Sequence, residues 1–187
     1  MQIFISWSGK RSKAVAEALR DWLRIVIQAS RPWMSSSNIQ KGERWSDKVA
    51  AVLKEAKIGI ICLTPENMRE PWILFEAGAL SKTMESTYVC PYLFEIDPNE
   101  LDGPLGQFQA TMADRDDTFK LLQTINSVLG ESALGERDLV EIFDTLWPAL
   151  ERKLKEVPPP EVETAPPAQN KELLQRAIEM LQQASRG

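Results

Sequence analysis

The chain has 187 residues and contains no histidine, and this absence restricts its chemistry more than any other feature of its composition. Without histidine it lacks the Ser-His-Asp and Cys-His catalytic sets, a histidine general base and a histidine-ligated zinc site. An enzymatic site in this chain must therefore use carboxylates, hydroxyls, amines or backbone groups. A magnesium site built from aspartate and glutamate is compatible with the composition, but no set of residues predicts a metal site.

Cysteine is scarce as well. The two cysteines, Cys62 and Cys90, both lie in apolar, strand-like segments. This setting predicts two small buried hydrophobic residues on neighbouring strands, and neither a disulfide nor a metal-binding pair.

Long apolar runs, basic blocks and glycine-rich motifs are also missing. No segment approaches the length of a membrane span, and Met1 leads into a strand-like segment and not into a signal peptide, so we expect a cytoplasmic protein with no membrane partner. A net charge of −5 without a long basic block argues against direct binding of nucleic acid. Gly9 and Gly42 are isolated, so neither the P-loop nor the dinucleotide-binding fingerprint is present.

Apolar strand-like segments alternate with amphipathic helical segments through the first half of the chain. Hydrophobic residues make up 43% of the sequence, enough for a core of ordinary size. The run at residues 58–63 has no polar alternation, which is typical of a strand buried on both faces. The alternation therefore predicts an α/β fold with a doubly wound parallel sheet. Strands are predicted at residues 3–5, 32–34, 58–63 and 88–94, and helices at 13–26 (capped by Ser12), 45–56 (capped by Ser46) and 71–82.

The pattern loosens after Glu95. Residues 108–110 predict a short last strand, and two helices follow, the first capped by Asp117 and carrying apolar residues 119–129, the second carrying apolar residues 139–154. A stretch rich in proline, glutamate and alanine is typical of a stiff linker, and an amphipathic helix follows it that is too short to be stable alone. The predicted units are a domain at residues 1–156, a linker at 157–169 and a C-terminal helix at 170–187.

Three loops of the predicted sheet lead to the edge where the strands end, which is where open α/β sheets bind ligands. They span residues 6–11, 35–44 and 64–70 and converge on the helix that carries Trp72 and Glu76, which are four apart and so lie on one face. Hydroxyls, cations and indoles suit a nucleotide, with cations for phosphate and indoles for base or pyridine stacking. Taken singly, each residue is more often structural: a loop serine, a solvated Lys10 or Arg11, a core tryptophan. The candidate binding residues are Ser6, Trp7, Ser8, Lys10, Trp33, Ser36, Lys41, Arg44, Trp45 and Trp72.

Several of these residues also carry a family resemblance. Phe4-Ile5-Ser6 before a long amphipathic helix, the polar loop closing at Gly42, and residues 71–80 (PWILFEAGAL) resemble a prokaryotic TIR (Toll/interleukin-1 receptor) domain over about residues 1–154. The resemblance implies a flavodoxin-like sheet of about five strands and hydrolysis of NAD+, with Glu76 as the catalytic residue and Trp72 in the pocket. It also implies that residues 35–44 form a loop controlling assembly and substrate access. Trp7 departs from the pattern, because many relatives carry tyrosine or histidine there.

The resemblance further implies an antiviral effector that depletes NAD+ once a sensor protein or a fused sensor domain makes it self-associate through TIR–TIR contacts. The chemistry is compatible with a histidine-free chain. Nicotinamide leaves from a cationic pyridinium as a neutral molecule, so no general acid is required and a single carboxylate can stabilise the oxocarbenium-like state. We therefore expect NAD+ to be a substrate, with no cofactor, and the products to be nicotinamide and linear or cyclic ADP-ribose. Two alternatives stay open: a non-catalytic TIR scaffold, and a nucleoside-transferring enzyme on a similar fold.

Overall fold

The computed structural model describes residues 1–34, 55–68, 88–101 and 103–160. Its five strands are all parallel and form one sheet in the order β2-β1-β3-β4-β5. This is the flavodoxin-like order of a doubly wound sheet, so the predicted fold class is confirmed. The strands are β1 (Gln2–Ser6), β2 (Arg31–Met34), β3 (Ala56–Leu63), β4 (Tyr88–Leu93) and β5 (Thr111–Met112). The helices are α1 (Lys10–Val26), α2 (Arg115–Ser127) and α3 (Glu136–Lys155), with 3-10 turns at Pro98–Glu100, Gly103–Leu105 and Gly130–Ser132.

Strand β3 is buried on both of its faces, as its unbroken apolar run predicts. Ile58, Ile60 and Cys62 belong to one core cluster, whereas Ile61 and Leu63 belong to a second cluster on the opposite face. Successive side chains of a strand point to opposite faces, so β3 contributes to both layers of the core.

One face of the sheet is covered by α1, α2 and α3. Helices α1 and α3 pack together through Trp22, whose indole N–H donates to the Leu146 carbonyl (3.0 Å) and whose ring meets Phe143 edge-on at 6.0 Å. The helices predicted at residues 45–56 and 71–82 lie largely outside the described residues. No helix in the described ranges is both long and apolar enough to cross a membrane.

The start of α1 differs from the prediction that Ser12 caps it. The helix begins at Lys10, and Gly9 occupies the N-cap position with a φ of 83° that glycine adopts without steric cost. Ser12 lies inside the first turn, where its hydroxyl accepts from the Ser8 N–H (3.3 Å) and donates to the Cys62 carbonyl (2.7 Å). The serine therefore joins α1 to β3 and does not cap the helix.

The start of α2 is also corrected. Asp114 is its N-cap and accepts from the Asp117 N–H at 2.9 Å. Asp117 itself accepts from the Met112 N–H at 3.1 Å, which ties the first turn of α2 to β5. Both positions carry an aspartate that could cap a helix, so the local sequence does not distinguish them.

The last strand lies three residues later than predicted. Residues 108–110 precede β5, and the Phe108 N–H closes a turn onto the Leu105 carbonyl (3.1 Å). In the described part of the chain, β5 pairs with Tyr92 and Leu93 of β4, which follow Pro91, a residue without an N–H to donate to a neighbouring strand. Ala56, predicted as part of a helix, is the first residue of β3.

The cysteine prediction is confirmed. Cys62 and Cys90 are free and buried, and they lie on the adjacent strands β3 and β4. Burial raises the pKa of the Cys90 thiol to about 12 and raises the pKa of Cys62 as well, so both remain uncharged. The predicted unit boundaries after residues 156 and 169 stay predictions, because the described residues end at 160.

Candidate active site

The loops after β1 and β3 come together at the edge where the parallel strands end. The chain leaves β1 at Ser6 and β3 at Leu63, and the turn at residues 64–68 follows β3 directly. Two of the three loops that the sequence places at this edge are thus in contact. The third, at residues 35–44, lies outside the described residues.

Asn67 holds these two loops together. Its side chain is 3% exposed and accepts from the Thr64 N–H (2.8 Å), while its amide nitrogen donates to the carbonyls of Ser8 (2.9 Å) and Cys62 (3.2 Å). Sequence reasoning missed this residue. The signal was present in the Thr-Pro-Glu-Asn turn, because asparagine side chains commonly hydrogen-bond nearby backbone groups in turns.

Arg11 lies at the same edge and is only 6% exposed. Its guanidinium pairs with Glu66 and with Glu95, each at 2.6 Å, and its Nε donates to the Pro158 carbonyl at 2.8 Å. It also lies 5.5 Å from the centre of the Phe94 ring. The prediction that Arg11 is a solvated or phosphate-binding loop cation is wrong, because the residue belongs to the first turn of α1 and is enclosed by two carboxylates.

Charge and burial have opposite effects on the pKa values of Arg11 and Glu66 in this ion-pair cluster. Burial favours a lower pKa for Arg11, but hydrogen bonds and charge from Glu95 and Glu66 outweigh it and raise the pKa of Arg11. Burial favours a higher pKa for Glu66, but hydrogen bonds from Thr64, the backbone and Arg11 hold the pKa of Glu66 below its usual value. Glu66 is therefore ionised at neutral pH and unsuited to act as a general acid.

The predicted binding residues after β1 differ in their exposure. Ser6 is fully buried, Ser8 is partly buried and Lys10 is exposed. Trp7 is 8% exposed and packs in the larger core cluster, with the Lys13 ammonium 5.4 Å from its ring centre. Among the described residues, its indole N–H has no hydrogen-bond partner.

Trp33 is placed by β2 on the side of the sheet that carries the smaller core cluster. Its ring stacks on Phe4 with the ring centres 5.6 Å apart, and it packs against that cluster. This contact is that of a core anchor, the more common role of a tryptophan at such a position. The remaining predicted site residues lie outside the described residues, so their roles stay predictions: Ser36, Lys41, Arg44, Trp45, Trp72 and the catalytic candidate Glu76.

A cavity of about 540 Å³ lies at the same edge, between the ends of β4 and β5 and the C-terminal half of α3. Its walls carry two aromatic rings and charges of both signs, and Glu95 borders both this cavity and the Arg11 cluster. Within the described ranges no group of carboxylates and thiols is arranged to hold a metal ion. The lining residues are Phe94, Glu95, Ala113, Asp114, Arg115, Trp147, Glu151, Leu154, Lys155 and Val157.

Comparison with known proteins relates the whole sheet to one family. The family model of the TIR domain matches residues 3–124, which run from β1 into α2. Among solved structures, the chain is similar to the TIR domains of the activated Roq1 resistosome directly recognizing the pathogen effector XopQ, at 13% identity over 83% of this chain and 98% of that one (TM-score 0.44). It is also similar to an azoreductase from Bacillus anthracis str. Sterne, at 11% identity over 83% of this chain and 97% of that one (TM-score 0.36). No protein of curated function matches the chain. Because the family model covers more than half of its length, this chain belongs to the TIR-domain family.

Proposed function

We propose that this TIR domain is an NAD+ glycohydrolase that cleaves the nicotinamide–ribose bond, with Glu76 as its catalytic carboxylate. The observation that carries the proposal is the position of the turn at residues 64–68. It follows β3, a central strand of the parallel sheet, at the edge where α/β sheets bind ligands. Glu76 comes eight residues after Met68, the last residue of that turn.

The reaction needs only one carboxylate from the protein. As the bond to nicotinamide breaks, positive charge develops on the ribose, and a carboxylate beside the ribose hydroxyls stabilises that charge. Nicotinamide departs neutral, so the leaving group does not need a proton. Water then bonds to the ribose carbon and releases a proton to give linear ADP-ribose, or a group of the ADP-ribosyl unit itself bonds there to give the cyclic product. The chain has no histidine, and Glu66, the described carboxylate nearest in sequence to Glu76, is held ionised by its partners. These features favour electrostatic stabilisation over general acid catalysis.

Self-association through TIR–TIR contacts is the second part of the proposal. According to this part of the proposal, a sensor makes the domain assemble in the cytoplasm, and the assembled domain depletes NAD+ as an antiviral effector. Activity should accordingly rise with protein concentration or crowding, and a dilute monomer should turn over slowly.

The test is an NAD+ consumption assay on the full chain, with and without a crowding polymer, in which the products are separated by liquid chromatography. Glu76→Gln is compared with Glu131→Gln, which changes an exposed glutamate in the turn between α2 and α3. We expect Glu76→Gln to lose about 100-fold or more of the turnover, the size typical of removing a transition-state charge contact. Glu131→Gln should match the wild type, and circular dichroism should show all three proteins folded.

Three results would contradict the proposal, and the first two would favour its alternatives. A wild-type chain that self-associates but leaves NAD+ intact would be a non-catalytic scaffold. A wild-type chain that acts on free nucleosides and leaves NAD+ intact would be a nucleoside-transferring enzyme. Wild-type turnover in Glu76→Gln would show that another group carries the reaction.

A further inference from the structure

The Arg11 cluster joins three parts of the chain that are far apart in sequence. Its partners are Glu66, 55 residues away, Glu95, 84 residues away, and the carbonyl of Pro158, 147 residues away. A guanidinium offers its N–H donors in a rigid planar fork, so partners bound to different arms are fixed relative to one another. Arg11 therefore sets the relative positions of the turn after β3, of Glu95 just after β4, and of Pro158 beyond the end of α3.

Glu95 is held in an uncommon backbone conformation at this point. Its φ is 57°, in the left-handed region that residues with a Cβ seldom adopt. Such a conformation costs free energy and persists only where surrounding contacts maintain it, often near functional sites. The ion pair with Arg11 is one such contact.

The turn at residues 64–68 is held from two directions. Asn67 ties it to the backbone of β3 and of the loop after β1, while Glu66 ties it through Arg11 to the end of β4. From this turn the chain continues toward Glu76, so a shift of the turn changes the point from which that segment departs.

We propose that Arg11 is a positioning residue for the reaction: by holding Glu66 against Glu95 and Pro158, it sets where the chain leaves β3 toward Glu76. The inference rests on the proposed function for its catalytic consequence. Misplacing a catalytic group by about 1 Å can lower the rate about 100-fold. Substrate affinity changes less, because Arg11 is buried and its N–H groups are directed at protein oxygens.

Two measurements on the full chain test the inference, one of them independent of activity. Hydrogen exchange reports on the amides of Asn67 and Met68, which donate to the Thr64 carbonyl at 3.0 and 3.1 Å. In Arg11→Gln these amides should exchange about tenfold faster, because the turn opens locally. The kcat for NAD+ should fall about tenfold to 100-fold, with KM within about threefold.

Arg20→Gln is the matched control. Arg20 also lies on α1 and also pairs with a carboxylate, that of Asp21, at 2.8 Å. It comes nine residues after Arg11, which places it about 13 Å further along the helix axis. Its replacement should leave both the exchange of residues 67 and 68 and the kcat at wild-type values.

Two further variants separate positioning from general loss of structure. Arg11→Lys keeps the charge but not the fork, so it should recover only part of the kcat lost in Arg11→Gln. Glu66→Gln, at a side chain that is 42% exposed and easily solvated, should lower kcat in the same direction. Because Arg11 acts through Glu66, the double variant Arg11→Gln/Glu66→Gln should be no slower than Arg11→Gln alone.

Each outcome decides the inference. Faster exchange together with a lower kcat in Arg11→Gln and wild-type values in Arg20→Gln support it. Unchanged exchange overturns it, and so does faster exchange with an unchanged kcat, or a fully additive double variant. A wild-type chain that consumes no NAD+ would refute the proposed function instead, and the exchange result would still decide whether Arg11 holds the turn.

Discussion

Replacing Asn67 with alanine should destabilise the fold and disable the site at the same time. The asparagine is buried and makes three hydrogen bonds, one accepted from Thr64 and two donated to Ser8 and Cys62. Alanine keeps the backbone turn but removes the side-chain hydrogen bonds that join the turn to Cys62 in β3 and to Ser8 in the loop after β1.

The size of the effect follows from the partners that are left behind. At about 1 kcal/mol for each intramolecular hydrogen bond, the loss is about 3 kcal/mol. Thr64 is 1% exposed, so its N–H loses its acceptor in a place that water does not reach, and this favours the full cost. The Cys62 carbonyl still accepts from the Ser12 hydroxyl at 2.7 Å and is not left unpaired.

Asn126 offers a control of the same kind at a distance from the site. It is 8% exposed and makes two hydrogen bonds to Leu134, at 2.9 and 2.8 Å, in the connection between α2 and α3. Asn126→Ala should therefore cost about 2 kcal/mol and spare NAD+ cleavage once the fraction folded is matched.

The assay is urea unfolding followed by circular dichroism at one fixed protein concentration, together with NAD+ turnover of the folded protein. We expect Asn67→Ala to lose about 3 kcal/mol of unfolding free energy and at least about tenfold in kcat. The reasoning is refuted if Asn67→Ala costs less than Asn126→Ala, or if both variants turn over NAD+ equally fast when folded.

Two other predictions concern acid stability and thiol reactivity. Asp117 is hydrogen-bonded by Lys120, which lowers the pKa of Asp117 in the folded state. The stabilisation it contributes is therefore present above the ordinary aspartate pKa near 3.8 and is lost as pH falls through the lowered value. Between pH 6 and pH 2, the unfolding free energy should consequently fall less for Asp117→Asn than for the wild type. Asp116 is a highly exposed neighbour, so Asp116→Asn is the control and should behave as the wild type. Cys62 and Cys90 are buried with raised pKa values, so an aromatic disulfide reagent should label neither thiol in the native protein and both thiols in urea. If either thiol of the native protein reacts as fast as an exposed cysteine does, the packing described for it is wrong.

The amino-acid sequence alone was enough to predict the fold class, the burial of β3 on both faces and the placement of the two cysteines on neighbouring strands. All three depend on apolar residues close together in the chain, and periodicity reports their burial directly. The family was likewise visible in short motifs, from the first strand to the Trp-x-x-x-Glu spacing at Trp72 and Glu76. Helix starts were predicted less accurately. Ser12 is a possible cap for α1, and Asp114 and Asp117 are both possible caps for α2, so the residue that caps each helix depends on tertiary contacts.

The surroundings of the polar residues depend on tertiary contacts and could not be predicted from local sequence. Arg11 looked like a loop cation because its partners Glu66, Glu95 and Pro158 are 55 to 147 residues away, and no local pattern records such distances. The hydrogen bond from Asn67 to the Ser8 carbonyl, 59 residues away, was likewise beyond a local pattern, whereas the bond that Asn67 accepts from the Thr64 N–H is of a kind that the turn sequence indicates. Apolar burial is set by composition along a helix or strand, whereas a buried charge or amide depends on which distant oxygen or nitrogen the fold places beside it.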